Sequence, residues 1–442
     1  MNLFTFTYEC LHCHKIVSEN NVKFIKSKAY ARSKSQHNSI QQKDMIEISE
    51  CPHCHIKKGF NVINTKNKRD VTYLPKSSFN MIDLFCGCGG LSEGFQNQGF
   101  HSICGVDVNK PMIQSYIYNH PSSKAIVGDI NAITADDILY ETNYDKHDVH
   151  LIVGGPPCQG FSTVGDQKKN DPRNILFYQF HRIVQEINPP FFIMENVPTI
   201  LTTEDGLVKE KIIDAFEKIG YHVVTQILKA VEYGVPQNRK RAFFFGTRID
   251  MNPSKMIPKE KRNQNTYVTV KDAIFDLPDL QHGEGTFQSN YTYPAQNTYQ
   301  ILMRAHSKFV YNHISSKHSQ LVLQRIQSLH EGENHKHLPK ELQLKRGYSN
   351  IYGKLWSDRP ADTITGNCGC VSAPGRFIHP KKIRGLTVRE GARLQSFPDD
   401  FIIVGNSTSI QYKQVGNAVP PLLASALAKT LLSQMKMYDN FK

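Results

Sequence analysis

The 442-residue sequence has one tryptophan, no internal repeat, and no uninterrupted apolar run near the roughly 18 residues that a membrane-crossing helix needs. Its first residues, MNLFTFTYECLHC, carry neither a basic n-region nor a long apolar stretch, so no secretion signal and no membrane association are expected. Acidic residues are in short supply: 40 Asp and Glu face 53 Lys and Arg, giving a net charge of +13. That excess favours polyanionic partners, because each neutralised phosphate releases condensed counterions. A hydrophobic content of 39% argues against a wholly disordered chain, and the length leaves room for two or three packed domains. Ten cysteines in so long a chain point to reduced thiols rather than to the disulfide framework of a small secreted domain.

Composition shifts divide the chain into three regions. Residues 1–78 are rich in Cys and Lys, with 13 Lys and Arg against 6 Asp and Glu. Residues 79–248 alternate apolar runs (MIDLF, HSICGVDV, LIVGG, FFIMENV, RAFFFGT) with longer amphipathic stretches. The runs read as buried strands and the stretches as helices, the pattern of a doubly wound α/β domain. From 249 to 410 the sequence begins as a polar stretch of weak periodicity and regains order near Arg359. The closing residues 411–442, which include AVPPLLASALAKTLLSQMK, read as a helix that completes the α/β domain.

In the first region Cys10-Leu-His-Cys13 and Cys51-Pro-His-Cys54 form two CxxC turns separated by 37 residues. Each turn can direct two thiolates at one tetrahedral zinc ion, and two turns close a four-thiolate structural site. The spacing requires an inserted hairpin or loop, giving a zinc-ribbon-like basic domain that depends on its metal to fold.

The α/β region carries two informative turns. Asp83-Leu-Phe85-Cys-Gly87-Cys-Gly89-Gly90 follows a strand and opens a helix, where glycines allow a ligand to approach the backbone. Asp107 ends the next strand about 20 residues later and can accept from ribose hydroxyls, and Asp129 ends a third strand on the same edge. Three acids on that edge favour an uncharged or cationic nucleoside over a pyrophosphate, and S-adenosylmethionine fits. The second turn, Gly154-Gly-Pro156-Pro157-Cys158-Gln-Gly160, holds one thiol on a proline-stiffened loop. A thiol needs nearby cations or a helix N-terminus to ionise at neutral pH, and Arg239 and Arg241 are candidates. Glu195 follows the apolar strand FFIM, where a carboxyl is partly desolvated, as suits a proton donor.

The ordered set DLFCGCGG, GDI, GGPPCQGFS, ENV, QNRKR, RPADTIT, LTVREGARLQSFPD and QVGNAVPP resembles the DNA cytosine-5 methyltransferase family from about Met81 to the C-terminus. The resemblance implies a Rossmann-like S-adenosylmethionine domain with a smaller target-recognition domain over 249–410. It implies Cys158 as nucleophile, Glu195 as the carboxyl that holds the cytosine, and Arg239 and Arg241 around the flipped base. The implied cofactor contacts are Asp83, Phe85, Gly87, Gly89, Asp107, Val108, Asp129, Pro156 and Asn417. Asp107 stands where members often carry Glu, and Val108 where an adenine-stacking group is common. The leader lies outside the resemblance. The implied partner is double-stranded DNA, bound by a monomer in a prokaryotic or phage cytoplasm at the nucleoid, with a cognate restriction endonuclease encoded nearby. A tRNA cytosine-5 methyltransferase and a catalytically inactive DNA-binding regulator are the alternatives.

Overall fold

The structure, a computed structural model, describes residues 4–27, 46–66, 68–75, 79–157, 175–259, 262–344 and 350–439. It contains two compact units, one of Met1–Leu228, Lys240–Lys259 and Ala424–Lys442 and one of Lys229–Arg239 and Glu260–Leu423.

The strands are, in chain order, β1 (Phe6–Cys10), β2 (Ile16–Ser18), β3 (Lys23–Ser27), β4 (Ile46–Glu50), β5 (Phe60–Asn64) and β6 (Asn80–Leu84). There follow β7 (His101–Asp107), β8 (Lys124–Val127), β9 (Val149–Gly154), β10 (Phe191–Asn196), β11 (His222–Lys229) and β12 (Lys240–Thr247). Ten of them form one sheet in the order β11-β12-β10-β9-β6-β7-β8-β5-β1-β2. The pairs β10–β9, β9–β6, β6–β7 and β7–β8 are parallel. Each is a near-continuous apolar run because helices cover both faces, and Met81, Ile82, Leu84, Leu151, Ile152 and Val153 are fully buried. The chain order reverses around β6, so the crevice for a ligand lies at the carboxyl ends of β6 and its neighbours.

Two features were not evident in the sequence. β12 inserts antiparallel beside β10, and the leader is continuous with the main sheet. β5 pairs antiparallel with β8 through Phe60 and Val127, and β1 and β2 extend the sheet outward. The leader strands β5, β1 and β2 therefore add the far edge of the sheet, where composition alone suggests a separate body. Between the CxxC turns, where a hairpin or loop is expected, β3 and β4 pair antiparallel.

The second unit carries two small ladders, β13 (Gly285–Ser289) with β14 (Val310–Ile314) and β15 (Gly353–Lys354) with β16 (Arg376–Ile378). Its helix Val388–Leu394, from the LTVREGARLQSFPD stretch, opens with a capping box of Thr387 and Glu390. The charges of that helix are buried and paired. Arg393 bonds Asp399 at 2.5 Å and Asp276 at 3.2 Å, and Arg384 bonds Glu390 at 2.7 Å. Losing one partner of such a pair costs about 3–5 kcal/mol, which makes this stretch a structural keystone of its unit.

Contrary to the expectation from uninterrupted runs, one helical stretch, Thr408–Met437, is long and apolar enough to cross a membrane. Its most apolar window is 61% buried inside the protein, and the prolines at 420 and 421 divide it into helices Thr408–Asn417 and Pro421–Asp439. It is a core segment.

Candidate active site and cysteine cluster

Past Leu84 the chain turns through left-handed conformations at Phe85 (φ 56°), Gly87 (φ 57°) and Gly89 (φ 99°) before helix Gly90–Gln96 begins. A left-handed phenylalanine is costly and marks a loop held in shape by its surroundings. Asp107 is part of what holds it. One carboxylate oxygen accepts from the Gly87 N–H at 3.0 Å and the other from the Asn109 N–H at 2.7 Å. Asp83 is fully buried, and its Oδ2 accepts from the Ser92 hydroxyl at 2.7 Å. Its Oδ1 has no hydrogen-bond partner among the described residues. Burial lifts Asp83 to about 7 and Asp107 to about 6. Asp129 follows β8, and its Oδ1 accepts from the Asn131 N–H at 3.0 Å. Val108 lies half-buried after Asp107. This set of carboxylates, with an unmatched buried acceptor and no basic side chain in the glycine loop, fits a cationic nucleoside such as S-adenosylmethionine.

The second cluster forms at the ends of β9, β10 and β12. Glu195 meets Arg241 across the antiparallel pair, Oε1 to Nε at 2.7 Å, with 14% and 16% of the two side chains exposed. A Cβ on Gly155 would lie 2.8 Å from Glu195 Oε2, so a side chain there would push the carboxylate aside. Asn196 Nδ2 donates to the carbonyl of the buried Pro156 at 2.9 Å and anchors that loop. Asn196 was missed as a positioning residue. Its signal was its place directly after Glu195, where a strand directs successive side chains to opposite faces. Cys158 lies outside the described residues, as does the rest of its loop through residue 174.

Arg239 belongs to the second unit, is 1% exposed, and donates to the carbonyls of Ile364 at 3.0 Å and Gly416 at 3.1 Å. Arg241 faces a carboxylate, while Arg239 ties backbone segments of its own unit. Beside it Gln237, also missed, is fully buried, donating to Leu394 O and accepting from the Ile364 N–H. Asn417 is exposed at the end of helix Thr408–Asn417, also in the second unit.

The CxxC turns converge. The four sulfurs of Cys10, Cys13, Cys51 and Cys54 lie within 4.8 Å of one another, with Cys10–Cys54 and Cys13–Cys51 each at 3.7 Å. A tetrahedron with metal–sulfur bonds of about 2.3 Å has edges of about 3.8 Å. The turns are near copies. His12 N–H points at Cys10 Sγ and His53 N–H at Cys51 Sγ, both at 3.4 Å, and His14 and His55 take left-handed φ of 53° and 59°. The chemistry and spacing of these donors fit zinc. Among the described residues no cysteine is in a disulfide.

A sheet that reverses at β6, acids at the strand ends and a carboxylate–guanidinium pair beside a Gly-Pro-Pro loop define a nucleoside-dependent transferase of α/β type. The chain belongs to the C-5 cytosine-specific DNA methylase family, whose model matches residues 79–433. It is 41% identical over 374 residues to the type II methyltransferase M.DdeI of Desulfomicrobium norvegicum, covering 80% of this chain and 88% of that one. It is 36% identical over 358 residues to M1.HphI of Haemophilus parahaemolyticus, covering 80% and 87%. A solved structure of a DNA modification methyltransferase encoded within an E. coli prophage superposes with a TM-score of 0.66 at 28% identity, covering 81% of this chain and 99% of that one. The chain is accordingly an S-adenosylmethionine-dependent methyltransferase of the cytosine-5 class, and the leader before residue 79 lies outside the family match.

Proposed function

We propose that this enzyme methylates C5 of a flipped-out cytosine in one duplex sequence through a transient Cys158–C6 bond, protecting DNA from a cognate restriction endonuclease. The observation that carries the reading is the Glu195–Arg241 pair seated against Gly155 and the anchored Pro156. Cytosine C5 is a poor nucleophile until a thiolate adds at C6. Cys158 makes that addition and departs when the C5 proton is lost. Glu195 holds the proton at N3, and Arg241 orients Glu195 and stabilises negative charge on the O2 side. When bound, S-adenosylmethionine supplies the electrophilic methyl group. Asp107 and Asp129 hold its nucleoside, Phe85, Val108 and Pro156 pack against it, Gly87 and Gly89 let it approach, and Asp83 meets its amino-acid end. Because these atoms are out of reach in a duplex, the base leaves the stack at a cost of a few kcal/mol.

Residues 79–248 with 411–442 form the catalytic domain in this reading, and 249–410 read the target with their polar side chains. The protein acts as a monomer in the cytoplasm, associated with the nucleoid. Its test is methyl transfer to duplex DNA and to tRNA, with bisulfite sequencing of host DNA after expression. One protected sequence motif is expected. Transfer to tRNA with none to DNA would overturn the assignment.

Two further results are expected. The ionised carboxylate of Asp107 accepts from the ribose more strongly than the neutral acid, so cofactor affinity falls as pH drops through about 6, where burial lifts its pKa, and Asp83, lifted to about 7, adds to the slope above that. Calorimetric titration of S-adenosylmethionine from pH 5.5 to 8 checks this. Asp107→Asn should weaken binding and flatten the slope near 6, and a pH-independent Kd in the unaltered protein would contradict it. The cysteine cluster holds one structural zinc, expected as about one equivalent by metal analysis of gently purified protein. A content well below that would remove zinc from the account.

A further inference from the structure

The leader and the cofactor edge share one lateral row of the sheet. Cys10 on β1 pairs with Phe60 on β5, Phe60 with Val127 on β8, and Val127 with Asp107 on β7. Four strands at about 4.8 Å spacing separate a cysteine of the cluster from the ribose acid by about 14 Å of hydrogen-bonded backbone. Close packing reinforces the row. A Cβ on Gly59 (φ 137°) would lie 2.9 Å from Val127 O and 3.2 Å from Gly128 Cα, and one on Gly128 would lie 2.8 Å from Lys58 O. The two backbones meet directly beside Asp129.

The first CxxC turn is inserted at the same place. Leu11, between Cys10 and Cys13, is 5% exposed and belongs to the core cluster of Ile126, Ile130 and Ile133, which flank Asp129 in sequence. Its N–H donates to Gly59 O at 3.2 Å, tying the turn to the start of β5. Lys58 pairs with Asp137 at 2.5 Å on the helix that follows. A second strut comes from the segment after β5. Arg69 makes two bonds to Glu93, at 2.6 and 2.9 Å, on the helix that opens from the glycine loop.

We infer that the four-cysteine turn is a metal-dependent buttress of the cofactor site, so that zinc in the leader sets the affinity for S-adenosylmethionine through Leu11, Gly59 and Gly128. This rests on the reading of the cluster as a zinc site and of Asp107 and Asp129 as cofactor acids. Without the metal the two turns lose their common anchor. Leu11 and Gly59 then lose their fixed seat against β8, and the loops bearing both acids relax. Gly59 and Leu11 are positioning residues, since neither reaches the cofactor edge itself. Coupling is reciprocal, so bound cofactor tightens zinc by the same factor.

The test uses the full-length protein, with zinc content by metal analysis and S-adenosylmethionine affinity by calorimetry. Dialysis against EDTA under reducing conditions should raise the Kd about tenfold, within the range typical of coupled sites, and added zinc should restore it. Saturating S-adenosylmethionine should slow zinc loss to the chelator. Gly59→Ala leaves all four cysteines in place and forces β5 away from Val127 and Gly128. It should keep about one zinc and raise the KM for S-adenosylmethionine about tenfold, with kcat and the KM for DNA within about twofold. A zinc-free protein as purified would remove the metal reading, yet Gly59→Ala would still decide whether the leader supports the site. Cofactor affinity unchanged by zinc removal overturns the metal coupling, and affinity unchanged in Gly59→Ala overturns the buttress.

Discussion

Cys158→Ser is expected to lower methyl transfer roughly 10⁴-fold or more while leaving S-adenosylmethionine affinity within about twofold. The asymmetry follows from what each group does. A thiol with pKa near 8.5 is partly ionised at neutral pH and becomes more so beside a cation, whereas a serine hydroxyl has almost no alkoxide to offer C6. No other group in the proposed mechanism activates C5, so nothing compensates. Most of the proposed cofactor contacts, from Asp83 to Gly89 with Asp107, Val108 and Asp129, lie on or just past β6, β7 and β8, away from the sulfur in sequence. Filter binding of tritiated product and calorimetry measure the two quantities. A serine variant retaining more than about a tenth of the rate would exclude covalent activation.

Glu195→Gln is the second large effect, a loss of about 10²–10⁴ in kcat, the usual range for a positioned proton donor. Glutamine matches the shape and so keeps the place of the carboxylate beside Gly155. It also keeps an acceptor for the Arg241 Nε, now 2.7 Å away. What it cannot do is exchange a proton with N3. Arg241→Met should cost less alone, and the double variant should be little worse than Glu195→Gln, because the arginine acts largely through the carboxylate. Full additivity in kcat would show that the two residues act independently.

Much of this site was legible because parallel strands buried on both faces leave an unambiguous trace. LIVGG, FFIMENV and RAFFFGT correspond to β9, β10 and β12, and MIDLF and HSICGVDV to β6 and β7. In an α/β sheet the residues just past such runs gather at one edge, so Asp107, Asp129, Pro156 and Glu195 could be grouped from order alone. The partners of a strand are another matter. Nothing in RAFFFGT says that it runs antiparallel to β10, and nothing in FNVIN says that it lies against β8. Pairing is decided by tertiary packing, so the leader's place in the main sheet was hidden.

The arginine pair shows the same limit at smaller scale. Two residues apart on a strand, Arg239 and Arg241 would share a face. The strand begins only at Lys240, however, and Gln237 is bridged to Ala361, so the alternation of a strand does not set the direction of Arg239. LTVREGARLQSFPD was distinctive for a structural reason, its Arg389 and Arg393 being buried against Asp276 and Asp399 and its Glu390 against Arg384. The CxxC turns needed no such context. Their spacing is local chemistry, and the four sulfurs meet as that chemistry requires.

The most direct test of the central claim uses duplex DNA in which every cytosine is 5-fluorocytosine, so that the target sequence need not be known. Fluorine at C5 cannot leave as a cation, so the Cys158–C6 bond formed before methyl transfer should persist. The expected result, with S-adenosylmethionine present, is a protein–DNA adduct that survives denaturation, maps to a peptide containing Cys158 and is absent from Cys158→Ser. Methyl transfer to ordinary DNA with no adduct on the fluorinated duplex would contradict it.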